Sequence, residues 1–336
     1  MVRRTMRRTL IVMALILTIT SIGIGSSWSQ GGYSRRPAAI NFGSNTSGAA
    51  GLIYIAHERG IFASEGLTVR VKDYPTGAVA IDAVLKGEMH IAWSSEFPLV
   101  RRAFSKERIS VFAVVNRFSD QYIFGRKGGG VENIANLKRK KIGVPRNTIA
   151  EFYLTRFLTL NGISIGDVSL VDVLPAQAID TISSGSVDAV VVWEPYSSQI
   201  KAQLADRVVG WSVQSSQPGF GVISGSSDWL VGNREIVVRF LKALVKSEDY
   251  LIRNTEAARR IIQKRLNYDD ASMDILWSES LFSISLDQSL IAAMEDEARW
   301  MIKNHLTKEK TVPDFTNYIY IDGLKAIKPE AVNIIR

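Results

Sequence analysis

Five short stretches of this chain hold side chains that could bind or transform a small molecule. "GSNTSG" supplies Ser44, Asn45, Thr46 and Ser47, and "PTG" supplies Thr76 and Gly77. "WSSE" adds Trp93, Ser94, Ser95 and Glu96, "RNT" adds Arg146, Asn147 and Thr148, and "WEP" adds Trp193 and Glu194. Hydroxyl and amide groups just ahead of a helical pattern can cap the helix or, with the free backbone N–H groups there, hold an anion. Tryptophans offer a flat apolar wall to an organic ligand. Two carboxylates can in principle do acid–base work, but spacing along a chain leaves their separation in space open.

Catalysis is otherwise poorly provided for. The chain has no cysteine, which excludes thiol chemistry, disulfides and cysteine-based metal sites. Its three histidines, His57, His90 and His305, are scattered, and "HERGI" lacks the second histidine of a zinc-protease helix. No catalytic residue, metal or cofactor is therefore expected. The four cations of "LKRKKIGVP" read as a solvated turn before a strand, because no aromatic or glycine-rich RNA motif accompanies them. Nucleic acid is not expected as a partner.

The elements that must position these groups are built twice. "AVAIDAVLKGEMHIAWSSEFP" from Ala78 and "AQAIDTISSGSVDAVVVWEPY" from Ala176 share residues at a constant offset of 98, among them Asp82 with Asp180, Gly87 with Gly185, and Glu96 with Glu194. Each copy predicts a helix, a glycine turn and a buried strand. Around them the chain alternates. Strands are predicted at "RPAAINFGSN", "EGLTVRVKDYP", "ISVFAVVN", "KKIGVP", "VSLVDVLP" and "RVVGWSV". Helices are predicted at "SGAAGLIYIAHERGIF" and "NTIAEFYLTRFLTLNG". Strict alternation of this kind argues for parallel sheets covered on both faces. Two stretches break the rhythm, "RFSDQYIFGRKGGG" and the glycine- and serine-rich "QSSQPGFGVISGSSDWL", and both read as boundaries. From Asn233 onward the pattern is mostly helical, with one stripe at Val237, Phe240, Leu241 and Leu244 and a second block from about Asp270 to Asn304.

At 336 residues, 46% hydrophobic and 22% charged, the chain suits two globular domains. Its first residues have a different character. "MVRRTMRRTLIVMALILTITSIGIGSSWSQ" shows the basic, apolar and small-residue layout of a secretory signal peptide, residues 1–29, with cleavage near Ser29. Removing Arg3, Arg4, Arg7 and Arg8 with it lowers the formal charge from +8 to +4. With no cysteine to carry a lipid, the mature chain is expected to be free of a lipid anchor.

Taken together, "YIAHERGIFASEGLTVRV", "GEMHIAWSSEFP", "NLKRKKIGVPRNT", "GSVDAVVVWEPY" and "VPDFTNYIYIDGLKAIKPEAVNII" resemble the nitrate/sulfonate/taurine group of periplasmic substrate-binding proteins, similar in fold to thiamine-precursor binders. The resemblance implies an α/β, two-lobed type II periplasmic binding protein fold. Each lobe would be a mainly parallel sheet flanked by helices, and two hinge crossovers would join them. Lobe I would comprise 30–124 and 219–336, and lobe II 125–218. It also implies a periplasmic, monomeric, non-enzymatic protein that captures a small organic ligand, sulfonate-, taurine- or pyrimidine-like, and delivers it to an ABC permease driven by its ATPase. Two alternatives stay open. One is an enzyme on the same scaffold, of pyrimidine-precursor or menaquinone-pathway type. The other is a periplasmic ligand-sensing module.

Magnitudes narrow the ligand. A helix N-terminus contributes about 0.3–1 kcal/mol to holding an anion, up to about 2 when partly buried. Micromolar affinity needs about 8 kcal/mol. Apolar burial at roughly 25 cal/mol per Å² must therefore supply much of the remainder, and a bare nitrate has little such surface to offer. Glu96 and Glu194 would also repel a small anion. Either they turn away to bond backbone, or the ligand carries an amine or amide beside its acidic head.

Overall fold

The computed structural model describes residues 37–45, 47–215 and 217–335, so the expected signal peptide and cleavage point, and Thr46, lie outside the described residues. In chain order the strands are β1 (Ala38–Asn45), β2 (Leu67–Tyr74), β3 (Ile91–Ser95), β4 (Ile109–Phe118), β5 (Tyr122–Arg126), β6 (Lys141–Val144), β7 (Ser169–Asp172), β8 (Ala189–Val192), β9 (Val208–Ser212), β10 (Gly219–Ser226) and β11 (Ser280–Ser285). The helices that matter to the site are α1 (Gly51–Glu58), α2 (Gly77–Leu85), α3 (Phe97–Phe104), α4 (Ile149–Leu160), α5 (Ala178–Ser184), α6 (Arg234–Arg253), α7 (Asp270–Glu279) and α8 (Gln288–Lys303).

The strands form two sheets, ordered β11-β4-β10-β3-β1-β2 and β7-β6-β8-β5-β9. β1 pairs in parallel with β2 and β3, and β6 with β7 and β8. The remaining pairs are antiparallel: β10 lies between β3 and β4, β11 beside β4, and β5 between β8 and β9. The expectation of mainly parallel sheets is thus corrected to mixed ones. The cause is how the chain changes sheet. It leaves β4 for β5 through Ser119–Gln121 and returns from β9 to β10 through residues 213–218. Neither link carries a helix, so neither can bring the chain back to the starting edge as a parallel crossover requires. β5 also joins the second sheet a few residues ahead of the boundary expected between 124 and 125.

The duplicated unit is a duplicated piece of geometry. α2, Gly87 and β3 in the first sheet correspond to α5, Gly185 and β8 in the second, and both glycines sit in the left-handed region, at φ +76° and +79°. An added Cβ at Gly87 would meet nothing within 4 Å, so strain alone opposes it. Gly87→Ala is expected to cost about 1–2 kcal/mol, read as a lower urea midpoint with unchanged slope; an unshifted midpoint would deny that the turn depends on this conformation.

Apolar packing joins the two sheets. One cluster runs from Ile40, Phe42 and Phe240 of the first sheet's layers to Ile142, Phe152 and Tyr153 of the second's. A smaller cluster around Phe124, Ile182 and Val190 covers another part of the second sheet. Where the sheets' helices meet, three rings close on one another. Phe97 of α3 lies 6.1 Å from Phe152 of α4 and 5.7 Å from Trp300 of α8, and the last two are 5.4 Å apart. The predicted α6 stripe is buried as its spacing requires: Val237, Phe240, Leu241 and Leu244 are each at most 1% exposed.

Candidate functional site

Between the carboxyl ends of strands from both sheets lies a small cavity. Ligand sites commonly fall at this end of such strands. The first sheet contributes Asn45, Ser47, Thr76, Gly77, Trp93, Ser95 and Pro98. The end of β4 in the first sheet adds Phe118, the second sheet contributes Thr148, Ile149 and Trp193, and the first crossover contributes Asp120 and Gln121.

Eight of the residues singled out in the sequence therefore meet in one cavity. Strand alternation decides two that do not. Ser44 and Ser94 point away from the face that carries Trp93 and Ser95, and their hydroxyls donate to the carbonyls of Asn45 (3.0 Å) and Ser95 (2.7 Å). Ser47 and Thr76 cap helical turns, accepting from Ala49 N–H (3.2 Å) and Val79 N–H (3.3 Å) while they also line the cavity. At the start of α2 the N–H groups of Gly77 and Ala78 have no intrahelical acceptor, which leaves that end able to receive an acidic head. Gly77 is required there, since a Cβ would stand 2.8 Å from the Ser94 Cα.

The start of α4 is different. Arg146 and Asn147 do not line the cavity but stand in the depression outside it, together with Arg101. Glu151, buried in the first turn, already supplies the anion for this helix end. It pairs with Arg146 at 3.0 Å and accepts from Asn147 N–H at 2.8 Å. Of Arg146, Asn147 and Thr148, only Thr148 lines the cavity, its hydroxyl donating to the Pro145 carbonyl at 2.7 Å.

Both glutamates turn away as well. Glu96 is fully buried and accepts from the Phe220 N–H through both oxygens, at 3.2 and 3.1 Å. Burial pushes its carboxyl up to about 8, and Glu297 of α8, also buried and also raised, lies beside it. Glu194 accepts from the Ser197 hydroxyl and is raised by burial, while its own carbonyl accepts from Tyr268 at 3.0 Å. Of the two branches left open by the sequence, the geometry follows the one in which the glutamates serve the protein's own loops.

The crossover supplies what the sequence reading missed. Asp120 is 3% exposed, accepts from the Gln121 side-chain amide at 2.9 Å, and is pushed up to about 7, chiefly by burial, with Glu279 and Glu194 adding repulsion. Its only sequence signal is a polar pair, "DQ", inside a stretch otherwise read as a boundary. Trp93 leans over Gly221 of β10, where a Cβ would stand 2.8 Å from the indole nitrogen and collide with Asn116.

A cavity walled from two mixed α/β sheets joined by two crossovers defines the periplasmic binding protein fold, which this chain shares with solved structures. The alkanesulfonate-binding protein SsuA from Xanthomonas axonopodis pv. citri, bound to MOPS, superposes with a TM-score of 0.74 at 17% identity, over 85% of this chain and 99% of that one. A desulfurization enzyme shares the fold too, with a TM-score of 0.65 at 15% identity, over 86% and 98% of the two chains. Residues 49–258 match the NMT1/THI5-like family, and the chain belongs to that family. Among its relatives, a Brucella abortus protein provisionally named a binding protein is 25% identical over 299 residues, 84% of this chain and 88% of that one. The taurine-binding periplasmic protein of Escherichia coli is 25% identical over 206 residues, 60% and 63% of the two chains.

Proposed function

We propose that this protein is the periplasmic solute-binding component of an ABC importer, and that it encloses a small organic ligand in the cavity between the sheets. The observation that carries this reading is the cavity's construction: Asn45, Thr76 and Trp93 from one sheet, Thr148 and Trp193 from the other, and Asp120 and Gln121 from the link between them. A ligand touching both sides favours the closed arrangement and shifts the population towards it. On this reading the two sheets with their helices are lobes, the crossovers at Ser119–Gln121 and 213–218 are hinges, and the closed monomer presents its ligand to a permease driven by an ATPase. The names of its relatives support a sulfonate- or taurine-like ligand and a periplasmic location. A pyrimidine-like ligand, removal of the signal peptide near Ser29 and the lack of a lipid anchor belong to the same reading on the sequence alone.

A thermal-shift screen over taurine, alkanesulfonates, aminopyrimidines, aromatic acids and nitrate tests it. A true ligand at a hundredfold above its dissociation constant should stabilise the fold by about 2.7 kcal/mol and be recovered unchanged. Absence of any stabilising compound would refute the reading. Chemical conversion of the bound compound would instead support an enzyme. One observation favours that second reading, the placement in the cavity of Asp120, whose carboxyl near 7 suits proton transfer.

A further inference from the structure

The cavity's polar lining is unbalanced. Among the described residues no lysine, arginine or histidine lines it, and Asp120 is the one ionisable side chain that does. Asn45 and Gln121 also line it, and Asn45 Oδ1 and Gln121 Oε1 are buried acceptors without a hydrogen-bond partner among the described residues; one donor of the lining, Trp93 Nε1, is likewise buried without a partner there. Gln121 cannot simply rotate its amide to hide that acceptor, because its N–H group is committed to Asp120 at 2.9 Å. Its backbone is held as well, the Gln121 N–H donating to Gln214 Oε1 at 2.9 Å. Buried acceptors left unpaired are costly, so a folded chain that keeps them has a donor in prospect.

We propose that Asp120, Gln121 and Asn45 form a subsite for an amino or ammonium group, so that the ligand is an amine-bearing small molecule rather than a simple sulfonate or nitrate. The inference rests on the binding-protein reading and refines it. The ligand's acidic head lies at the start of α2, among Ser47, Thr76 and Gly77, and its nitrogen donates into the crossover. An ammonium has donors for all three acceptors and neutralises the one charge in the wall.

The surroundings add a pH signature. Asp120 is faced by Glu194 at the end of β8, Glu279 at the end of α7, Tyr122 of β5 and Tyr268, while Lys201 offsets Glu194 and Glu279. Burial and these carboxylates hold the Asp120 carboxyl near 7. It must ionise to hold a cation, so affinity for an ammonium ligand rises as pH climbs through about 7, and the bound amine pulls the carboxyl down again.

The test uses ligand pairs that differ by the nitrogen, taurine against ethanesulfonate and 4-aminopyrimidine against pyrimidine, titrated calorimetrically at pH 6 and pH 8. In the wild-type chain the amino member of at least one pair should bind ten or more times tighter, with the ratio larger at pH 8 for taurine. Asp120→Asn, nearly isosteric, should reduce that ratio to within about threefold, and Asn45→Leu should reduce it by a different route if the first variant folds poorly. Tight binding of ethanesulfonate or nitrate with no gain from an amine would overturn the subsite and leave the binding-protein reading standing. A chain that none of these compounds and no member of the wider screen stabilises would overturn both.

Discussion

Trp193→Ala is expected to weaken ligand binding by between one and two orders of magnitude. The indole follows β8 and lines the cavity from the second sheet, as Trp93 of β3 does from the first. If about 100 Å² of apolar surface is covered by the ligand, burial at roughly 25 cal/mol per Å² contributes about 2.5 kcal/mol. The same side chain is 8% exposed and belongs to the cluster that joins the sheets, so its removal also destabilises the fold, by about 3–5 kcal/mol. Calorimetry with the ligand that shifts the wild-type melting temperature most separates the two effects, provided that Trp193→Phe is measured alongside. Phenylalanine retains a ring for the ligand and much of the packing, and should recover most of the affinity. Binding by Trp193→Ala within threefold of wild type would mean that the indole packs the interface and does not contact the ligand.

The parallel portion of the fold was legible because a parallel pair demands a helix between its strands, and the helix advertises itself by its period. The three strands that the sequence reading passed over, β5, β10 and β11, all stand in antiparallel pairs. β10 was disguised by its glycines and serines, yet it is the buried strand between β3 and β4, and its glycines answer to neighbours rather than to turns. A Cβ at Gly219 would strike the Phe118 ring at 2.5 Å, and one at Gly221 would strike Asn116. β11 alternates, with Phe282 and Ile284 buried and Leu281 exposed, but only over six residues inside a helical run. Local pattern cannot reveal a demand that a neighbouring strand makes.

At the site, the strand-end residues were found because hydroxyls before a helix carry a backbone consequence. Their directions were not, although period 2 along β3 already separates Ser94 from Trp93 and Ser95. Glu151 shows a different limit. An acidic residue in the first turn of α4 reads as an ordinary dipole partner, and only the fold shows it binding Arg146 and the Asn147 N–H, which removes that helix end from the list of places a ligand anion could go. Asp120 and Gln121 matter because a crossover runs along the cavity wall, which is a property of topology.

Raising the pH from 5 to 8 is expected to destabilise the protein steeply, and Glu297→Gln is expected to remove a large part of that dependence. Glu96 and Glu297 are both fully buried, side by side, next to the ring trio of Phe97, Phe152 and Trp300. Burial raises both carboxyls, Glu96 to about 8 from an ordinary 4.5 and Glu297 well above its ordinary value, with repulsion from the Glu96 carboxylate adding to the burial. A carboxyl raised in the folded state keeps a proton that the unfolded chain has lost. Its stabilisation is complete below about 4.5 and is lost as pH rises towards the folded-state value, about 8 for Glu96, at about 1.4 kcal/mol per pH unit. Asp120, Glu194 and Glu279 are raised too and act in the same direction, so the wild-type slope alone does not isolate the pair. The difference between variants does. Glu297→Gln deletes one titrating group and supplies an amide donor to Glu96, so its unfolding free energy between pH 6 and 8 should fall less steeply by about 1.4 kcal/mol per unit. At pH 8 the variant should be the more stable protein. Denaturant melts across that range measure both quantities, and parallel slopes for the two proteins would mean that Glu297 carries no proton in the folded state.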